Sequence, residues 1–489
     1  MEKVPDISFK NDTIFYGFAV FIERAASFFV IPILTKTLPQ EYYGIWTQIL
    51  ITTALMGPII MFGFYPATVK FLSGENNKIK VSKIFHGMLL VSIINLVLVC
   101  IACFGFAVPL SRFLFGDAKY FKFVHIFGLF LASESLFQLL LSYLRAIKKI
   151  KIVSVYYLIK NAVRLSILAI GTFIFKVNLL SMLQLLVLSQ IILVMIIYLV
   201  HISHTLTLCR GKIIVGWKGI IYFALPLIPY SLFLWGNSFI DRYFILHILN
   251  INQLSKYAIA YSLAAFIMFL YSISSYTLYP HMAKLWNTND KNAASYLLSK
   301  VVDYYLFLSI PIIIILSVFH TEILKIVSNA SYFSSWQVVF FLTCGVTIFG
   351  LYQLTSNIML LAEKTMLIFY ISLAAVLTNV LLNIFLIPIF GILGAAISML
   401  FSNIVLTGLT IFLNKKIIEQ YVVYFSFIKI LPGACAMLIS IMVLRSVLKT
   451  ESFFTFILAA CVGLSVYLMV DLFSKNSKII GFIKPMIKT

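Results

Sequence analysis

Apolar residues in this chain come in fourteen long runs, and polar residues fall almost entirely between them. The runs predict helices near 13–35, 42–66, 84–111, 119–144, 153–174, 179–201, 221–247, 255–279, 302–319, 335–360, 366–387, 390–413, 421–444 and 452–473. A helix needs roughly 20 mostly apolar residues, at about 1.5 Å each, to cross a bilayer. Every run meets or approaches that length. The seventh is too long for one straight crossing, so tilt or a break is expected there. Pro226 and Pro229 are placed to bend it, as Gly57 and Pro58 are placed to bend the second.

Composition agrees with the pattern. Hydrophobic residues make up 62% of the 489, charged ones 11%, and mean hydropathy is +1.05. A soluble core does not need that much apolar surface, so the expected fold is an all-α polytopic membrane protein. No loop exceeds about twenty residues, which leaves no soluble domain, and no GxxxxGK(S/T) loop is present to hydrolyse ATP. The opening dozen residues are mostly polar and do not read as a signal peptide.

The net charge of +21 would suggest nucleic acid in a soluble protein, but its distribution gives another account. If both termini lie on one side, the loops and tails there hold 23 Lys and Arg, and the opposite loops hold nine. That is the positive-inside bias, which places both termini in the cytoplasm. Anionic lipid headgroups, not nucleic acid, then neighbour the excess charge. Cys100 and Cys103 form a CxxC inside a predicted span, where small buried hydrophobes are a simpler reading than a redox or metal pair. His201 and His204 lack a third ligand and read as interfacial. No metal or cofactor is expected. Trp46, Trp217 and Trp286 fall near predicted interfaces, as an aromatic belt would place them.

The segments Phe21 to Met56 and Tyr230 to Met268 are built alike. Each ends a helix with Ile-Leu, crosses a short polar turn and re-enters through Tyr and a small residue. These are Tyr43-Gly44 and, 214 residues on, Tyr257-Ala258. Each segment opens a block of six helices, and both blocks start on the same side, which makes them parallel repeats. The expected organisation is a six-helix bundle over 1–210 and a second over 211–416. Two additional helices and a basic cytoplasmic tail occupy 417–489. A central cleft between the bundles would open to either side in turn.

The run PILTKTLPQEYYGIW, Pro32 to Trp46, resembles the first hairpin of the polysaccharide-export flippases, the Wzx-type lipid-linked oligosaccharide transporters. ALPLIP (Ala224 to Pro229), DRYFI (Asp241 to Ile245) and GILGAAIS (Gly391 to Ser398) are similar to the same family in the expected order. Lys36 stands where Arg is common, which keeps the charge but loses the guanidinium fork. The doubled Tyr42-Tyr43 is a second small departure. The resemblance implies membership of the multidrug/oligosaccharidyl-lipid/polysaccharide exporter superfamily. That superfamily's fold is two six-helix bundles forming a V, and its members work by alternating access.

Five cations fall inside predicted spans: Arg24, Lys160, Arg164, Arg242 and Lys429. Three carboxylates join them: Glu23, Glu134 and Asp241. A charge at a helix centre costs roughly 2.5–3.5 kcal/mol on insertion scales. Arg24 lies about 17 Å into its span by helix rise, too deep to snorkel. Lys160 and Arg164 are four apart and share one helix face. Lys429 lies nearer a helix end, where snorkelling accounts for it. Arg24, Lys160, Arg164 and Arg242 are the candidate substrate-binding cations, lining the cleft and holding an anionic headgroup. Pairing with Glu23 or Glu134 is the structural alternative. Depth favours function for Arg24 and Arg164, while Lys160 and Arg242 stand equally in both roles. Adjacent Glu23-Arg24 and Asp241-Arg242 are not expected to pair within their own helices, since neighbours point about 100° apart. Glu134 either carries a coupling proton or accepts hydrogen bonds across helices, with the structural role slightly ahead.

These readings combine into a flippase of a bacterial plasma membrane. Its substrate is a polyprenyl-pyrophosphate-linked oligosaccharide, such as an O-antigen, capsule or exopolysaccharide repeat unit. Its partners are membrane lipids and, downstream, polysaccharide polymerase and chain-length machinery. A lipid II-type flippase and a multidrug antiporter are the alternatives within the superfamily, although a basic cleft would repel the cations that multidrug carriers usually export. A membrane polymerase or glycosyltransferase is disfavoured, because no span pairs two carboxylates for sugar chemistry. The chain is therefore read as a transporter, not an enzyme.

Overall fold

A computed structural model describes residues 22, 26–75, 77–206, 217–418, 427–448 and 453–473. Among them there is no strand. Twelve helices are long and apolar enough to cross a membrane, and Trp217–Phe233 with Trp235–Ile248 make a thirteenth as a broken pair. The first predicted span lies mostly outside the described residues, and its described part is the helix Ala26–Thr37. The chain is an all-α, multi-pass membrane protein.

Two compact units divide the chain, Met1–Trp235 with Asn250–Ser255, and Gly236–Leu249 with Lys256–Thr489. The first unit begins with α1 (Ala26–Thr37), α2 (Gln40–Ile60), α3 (Phe64–Leu72), α4 (Lys78–Gly105) and α5 (Ala107–Phe115). It continues with α6 (Phe121–Ala146), α7 (Ile150–Phe173), α8 (Leu179–His201), α9 (Ser203–Leu206) and α10 (Trp217–Ala224). At its centre is α6, packed by α2, α3, α4, α5, α7 and α8. Helices in lipid must satisfy their own backbone groups, so changes of direction need special residues. The second predicted run breaks at Phe62 and Gly63, both at positive φ, rather than at Gly57-Pro58. Gly63 is required there twice over: it is left-handed, and a Cβ would come within 2.6 Å of the Ala224 carbonyl oxygen.

Helix α11 (Leu227–Ile248) follows a turn at Leu225 and Pro226 and bends by 49° between Phe233 and Trp235, so the seventh run is interrupted as expected. Helix α12 (Ile251–Ala264) has its first residues in the first unit and the rest, from Lys256, in the second. The second unit continues with α13 (Met268–Asn287), α14 (Lys291–Val318), α15 (His320–Val327), α16 (Trp336–Thr355) and α17 (Asn357–Leu361). It ends with α18 (Thr365–Phe390), α19 (Ile392–Ile417), α20 (Phe427–Leu448) and α21 (Phe453–Phe473). Its centre is α16, and polar side chains fix the register of α19 against it. Asn403 donates to the Gly345 carbonyl (3.0 Å), Thr407 to Ile348 (2.9 Å) and Asn414 to Thr355 (2.9 Å). Those three lie on one helix face, and each meets a carbonyl that hydrocarbon leaves without water.

Trp46 is buried, because its face of α2 points into the first unit. The bounds of two helices are corrected. The third and ninth predicted helices start six and eleven residues early, at Lys78 and Lys291. Their Lys-bearing first turns extend the helix beyond the apolar run that the hydropathy pattern detects.

Candidate functional site

A cavity of about 610 Å³ lies inside the first unit, walled by mixed apolar and polar side chains of α2, α6, α7 and α8, with Tyr65 from α3. Its charged groups come from two helices. Glu134 projects from α6, Lys160 and Arg164 from α7, and Gln190 from α8. The i, i+4 spacing of the two cations brings both to the cavity wall, as the sequence predicts.

Glu134 is saturated. Its Oε1 accepts from Lys160 Nζ (2.7 Å) and Gln138 Nε2 (3.0 Å), and its Oε2 accepts from Lys160 (2.8 Å) and Gln190 (2.5 Å). Gln138 is oriented in turn by the Tyr157 hydroxyl, which donates to its Oε1 at 2.9 Å. Lys160 also sits 4.8 Å from the Phe137 ring centroid. The lysine and carboxylate side chains are only 13% and 18% exposed. An ion pair largely withdrawn from water is favoured when its remaining lone pairs are also matched, as those of Glu134 are here. Arg164 lines the same cavity, with Nη2 3.0 Å from Ser27 Oγ on α1. An anion entering the cavity would meet the ammonium and guanidinium one helical turn apart.

Asp241 and Arg242 form a separate cluster in the second unit. Both are nearly inaccessible, at 2% and 3% exposure. The Tyr257 hydroxyl donates to Asp241 Oδ2. Arg242 Nη1 donates to the Ser238 carbonyl (2.9 Å) and lies 3.4 Å from Asp241 Oδ1. The guanidinium carbon is 4.3 Å from the Tyr261 ring centroid and 4.9 Å from that of Phe239. The expectation that these helix neighbours do not pair is thus overturned. The long arginine arm folds back toward the carbonyl four residues earlier, and that path carries it past the carboxylate.

Glu23 and Arg24 lie outside the described residues, as does the Lys429 side chain. Of the remaining predicted site residues, the structure gathers Glu134, Lys160 and Arg164 in one cavity and pairs Asp241 with Arg242. Sequence reasoning missed Gln190. Its signal was an amide within α8, a span whose hydropathy reaches 2.6. Elsewhere, His201 Nε2 lies 3.1 Å from the Tyr156 hydroxyl, and Cys103 packs where a Cβ on Gly128 would meet its sulfur at 3.1 Å.

Residues 9–286, more than half of the chain, match the family described as Polysaccharide biosynthesis protein. Residues 226–385 match the MatE family. Over 154 residues the chain is 31% identical to an uncharacterized membrane protein of Methanocaldococcus jannaschii, a match covering 31% of this chain and 30% of the relative's length. The lipid II flippase MurJ, in an inward closed conformation, superposes with a TM-score of 0.72 at 17% identity, covering 97% of this chain and all of that one. An inward-facing multidrug resistance MATE family transporter of the MOP superfamily gives 0.65 at 11% identity, covering 81% and 95%. At these identities the structural likeness establishes the fold, and the family match extends beyond it. The chain belongs to the polysaccharide biosynthesis protein family.

Proposed function

We propose that this protein is a flippase that carries a polyprenyl-pyrophosphate-linked oligosaccharide across the bacterial plasma membrane by alternating access, with both termini cytoplasmic. The observation that carries the reading is the placement of Lys160 and Arg164 on the wall of a membrane-embedded cavity, in a chain of the polysaccharide biosynthesis family. A diphosphate offers several acceptor oxygens, and Arg matches phosphate through two parallel hydrogen bonds. In a cavity of low dielectric that attraction is focused. Arg24 and Arg164 are the principal headgroup ligands. Lys160 contributes through its exchangeable bond with Glu134, and Arg242, boxed by aromatic rings, organises the second unit. Polymerase and chain-length machinery would act on the translocated product.

Reconstitution in liposomes tests this. A polyprenyl-pyrophosphate oligosaccharide is supplied on one side, and a glycan-cleaving enzyme on the other reports its arrival. The wild type should translocate the lipid, and folded Arg24→Ala and Arg164→Ala variants should lose most of that activity. Undiminished transport in both variants would remove the cationic site from the proposal. The likeness to a lipid II flippase makes lipid II the second substrate to supply, since it shares the diphosphate. If the wild type moves neither lipid, the reading fails in favour of a small-molecule antiporter.

A further inference from the structure

A second cavity, about 840 Å³, runs along the outside of the first unit between α4 and α6. Unlike the first cavity, it is lined by no charged side chain. Its α4 wall is Ile93, Val97, Cys100 and Phe104, spaced four, three and four residues apart, so these residues share one helix face. The α6 wall is Leu129, Ala132 and Leu136, spaced the same way. All of these side chains are apolar or nearly so. The groove forms because α4 is mostly buried along its first half and mostly exposed along its second, where Ile93, Ile94, Val97, Leu98 and Ile101 all face outward.

Continued toward its own start, the α6 stripe reaches His125 and then Lys122, again at four- and three-residue steps. His125 stacks on Phe104 with centroids 4.6 Å apart and planes 13° from parallel, which places it at the mouth of the groove. Lys122 is exposed one turn further on. Lys119, beside it, is matched by Glu41 (3.4 Å) and Asp117 (3.9 Å). Among the described residues, no carboxylate lies within ion-pair distance of Lys122 or of Arg112 on α5. One apolar groove therefore ends in uncompensated positive charge, on the membrane face that carries the α5–α6 turn.

We infer that the α4–α6 groove is a binding site for one anionic phospholipid, with an acyl chain along the groove and the phosphate at Lys122. The length selects this occupant. Ile93 to Phe104 spans about 17 Å of helix, close to half of a hydrocarbon core of about 30 Å. That suits a chain confined to one leaflet and is too short for an extended polyprenyl tail. Basic positions next to apolar grooves between membrane helices favour anionic headgroups over zwitterionic ones.

The full chain, in phosphatidylcholine vesicles containing a minor fraction of phosphatidylglycerol with a diazirine in its acyl chain, provides the test. After illumination, adducts should concentrate on 93–104 and 129–136, and unlabelled phosphatidylglycerol should compete better than phosphatidylcholine. Lys122→Gln should cut that preference by about fivefold, the worth of one lysine beside an anionic surface. Ala132→Phe, which fills the groove, should abolish adducts there while melting like the wild type. Adducts spread evenly over all lipid-facing helices would overturn the inference, as would a preference unaffected by Lys122→Gln. Displacement by polyprenyl phosphate at far lower concentration than phosphatidylglycerol would also overturn it, assigning the groove to the transported lipid's tail. None of these readings requires transport, so the site and the flippase proposal stand or fall separately.

Discussion

Glu134 accepts four hydrogen bonds, two of them from Lys160, and neither member of that pair can be removed cheaply alone. Lys160→Met leaves a carboxylate buried without its counter-charge, and removal of one partner from such a pair costs about 3–5 kcal/mol. Thermal unfolding in detergent should show that loss, and Glu134→Gln combined with Lys160→Met should recover most of it. A double variant as unstable as the single would mean that the lysine acts through packing on Phe137. Gly44, in the QEYYGIW segment, is constrained differently. A Cβ there would lie 2.6 Å from Ile251 Cγ1 and 2.8 Å from the Ile251 carbonyl oxygen. Gly44→Ala should therefore lower the melting temperature, because backbone must move to admit one methyl group. Gly44→Leu should prevent accumulation of folded protein.

At the scale of elements, the last two helices are held to the second unit by a few polar contacts. Arg445 of α20 bonds Glu322 of α15 (2.9 Å) and the Val318 carbonyl (3.0 Å). From α21, Tyr467 donates to the Phe307 carbonyl of α14 at 2.8 Å. Glu322 is buried, so Arg445→Ala leaves its carboxylate without a counter-charge, held by the Thr321 hydroxyl (2.7 Å), and should cost about 1–3 kcal/mol, read as faster proteolysis between α19 and α20. His320, at the start of α15 and outside the membrane spans, has its pKa lowered by burial, against the opposing pull of the Ser317 carbonyl and Glu322. The folded chain thus binds this proton less readily than the unfolded chain. The contribution of neutral His320 is complete above a pH of about 6.5 and declines as pH falls toward the lowered pKa. Melting temperature should drop between about pH 7.5 and 5.5 by more in the wild type than in His320→Gln. Equal slopes would remove His320 as the cause.

For the whole molecule, the distribution of Lys and Arg predicts orientation. Lys148→Cys, in the α6–α7 turn, should resist a membrane-impermeant maleimide in intact cells, and Lys119→Cys, before α6, should react. The reverse pattern would invert the topology and with it the direction of transport.

The chain by itself determined which segments cross the membrane, because hydrocarbon admits no long polar run and a span needs a fixed length of apolar helix. It read 179–201 to the residue and foresaw the interruption near Pro226. It also placed Lys160 and Arg164 on one helix face, since that follows from 3.6 residues per turn alone. Tertiary structure decided which partner each charge meets. Glu134 could have paired with any intramembrane cation, and only the packing of α6 against α7 and α8 gives it Lys160 and Gln190. The Asp241–Arg242 contact, the break at Gly63 and the α4–α6 groove likewise depend on where neighbouring helices lie. Periodicity fixes the direction of a side chain around its own axis and carries no information about what stands opposite.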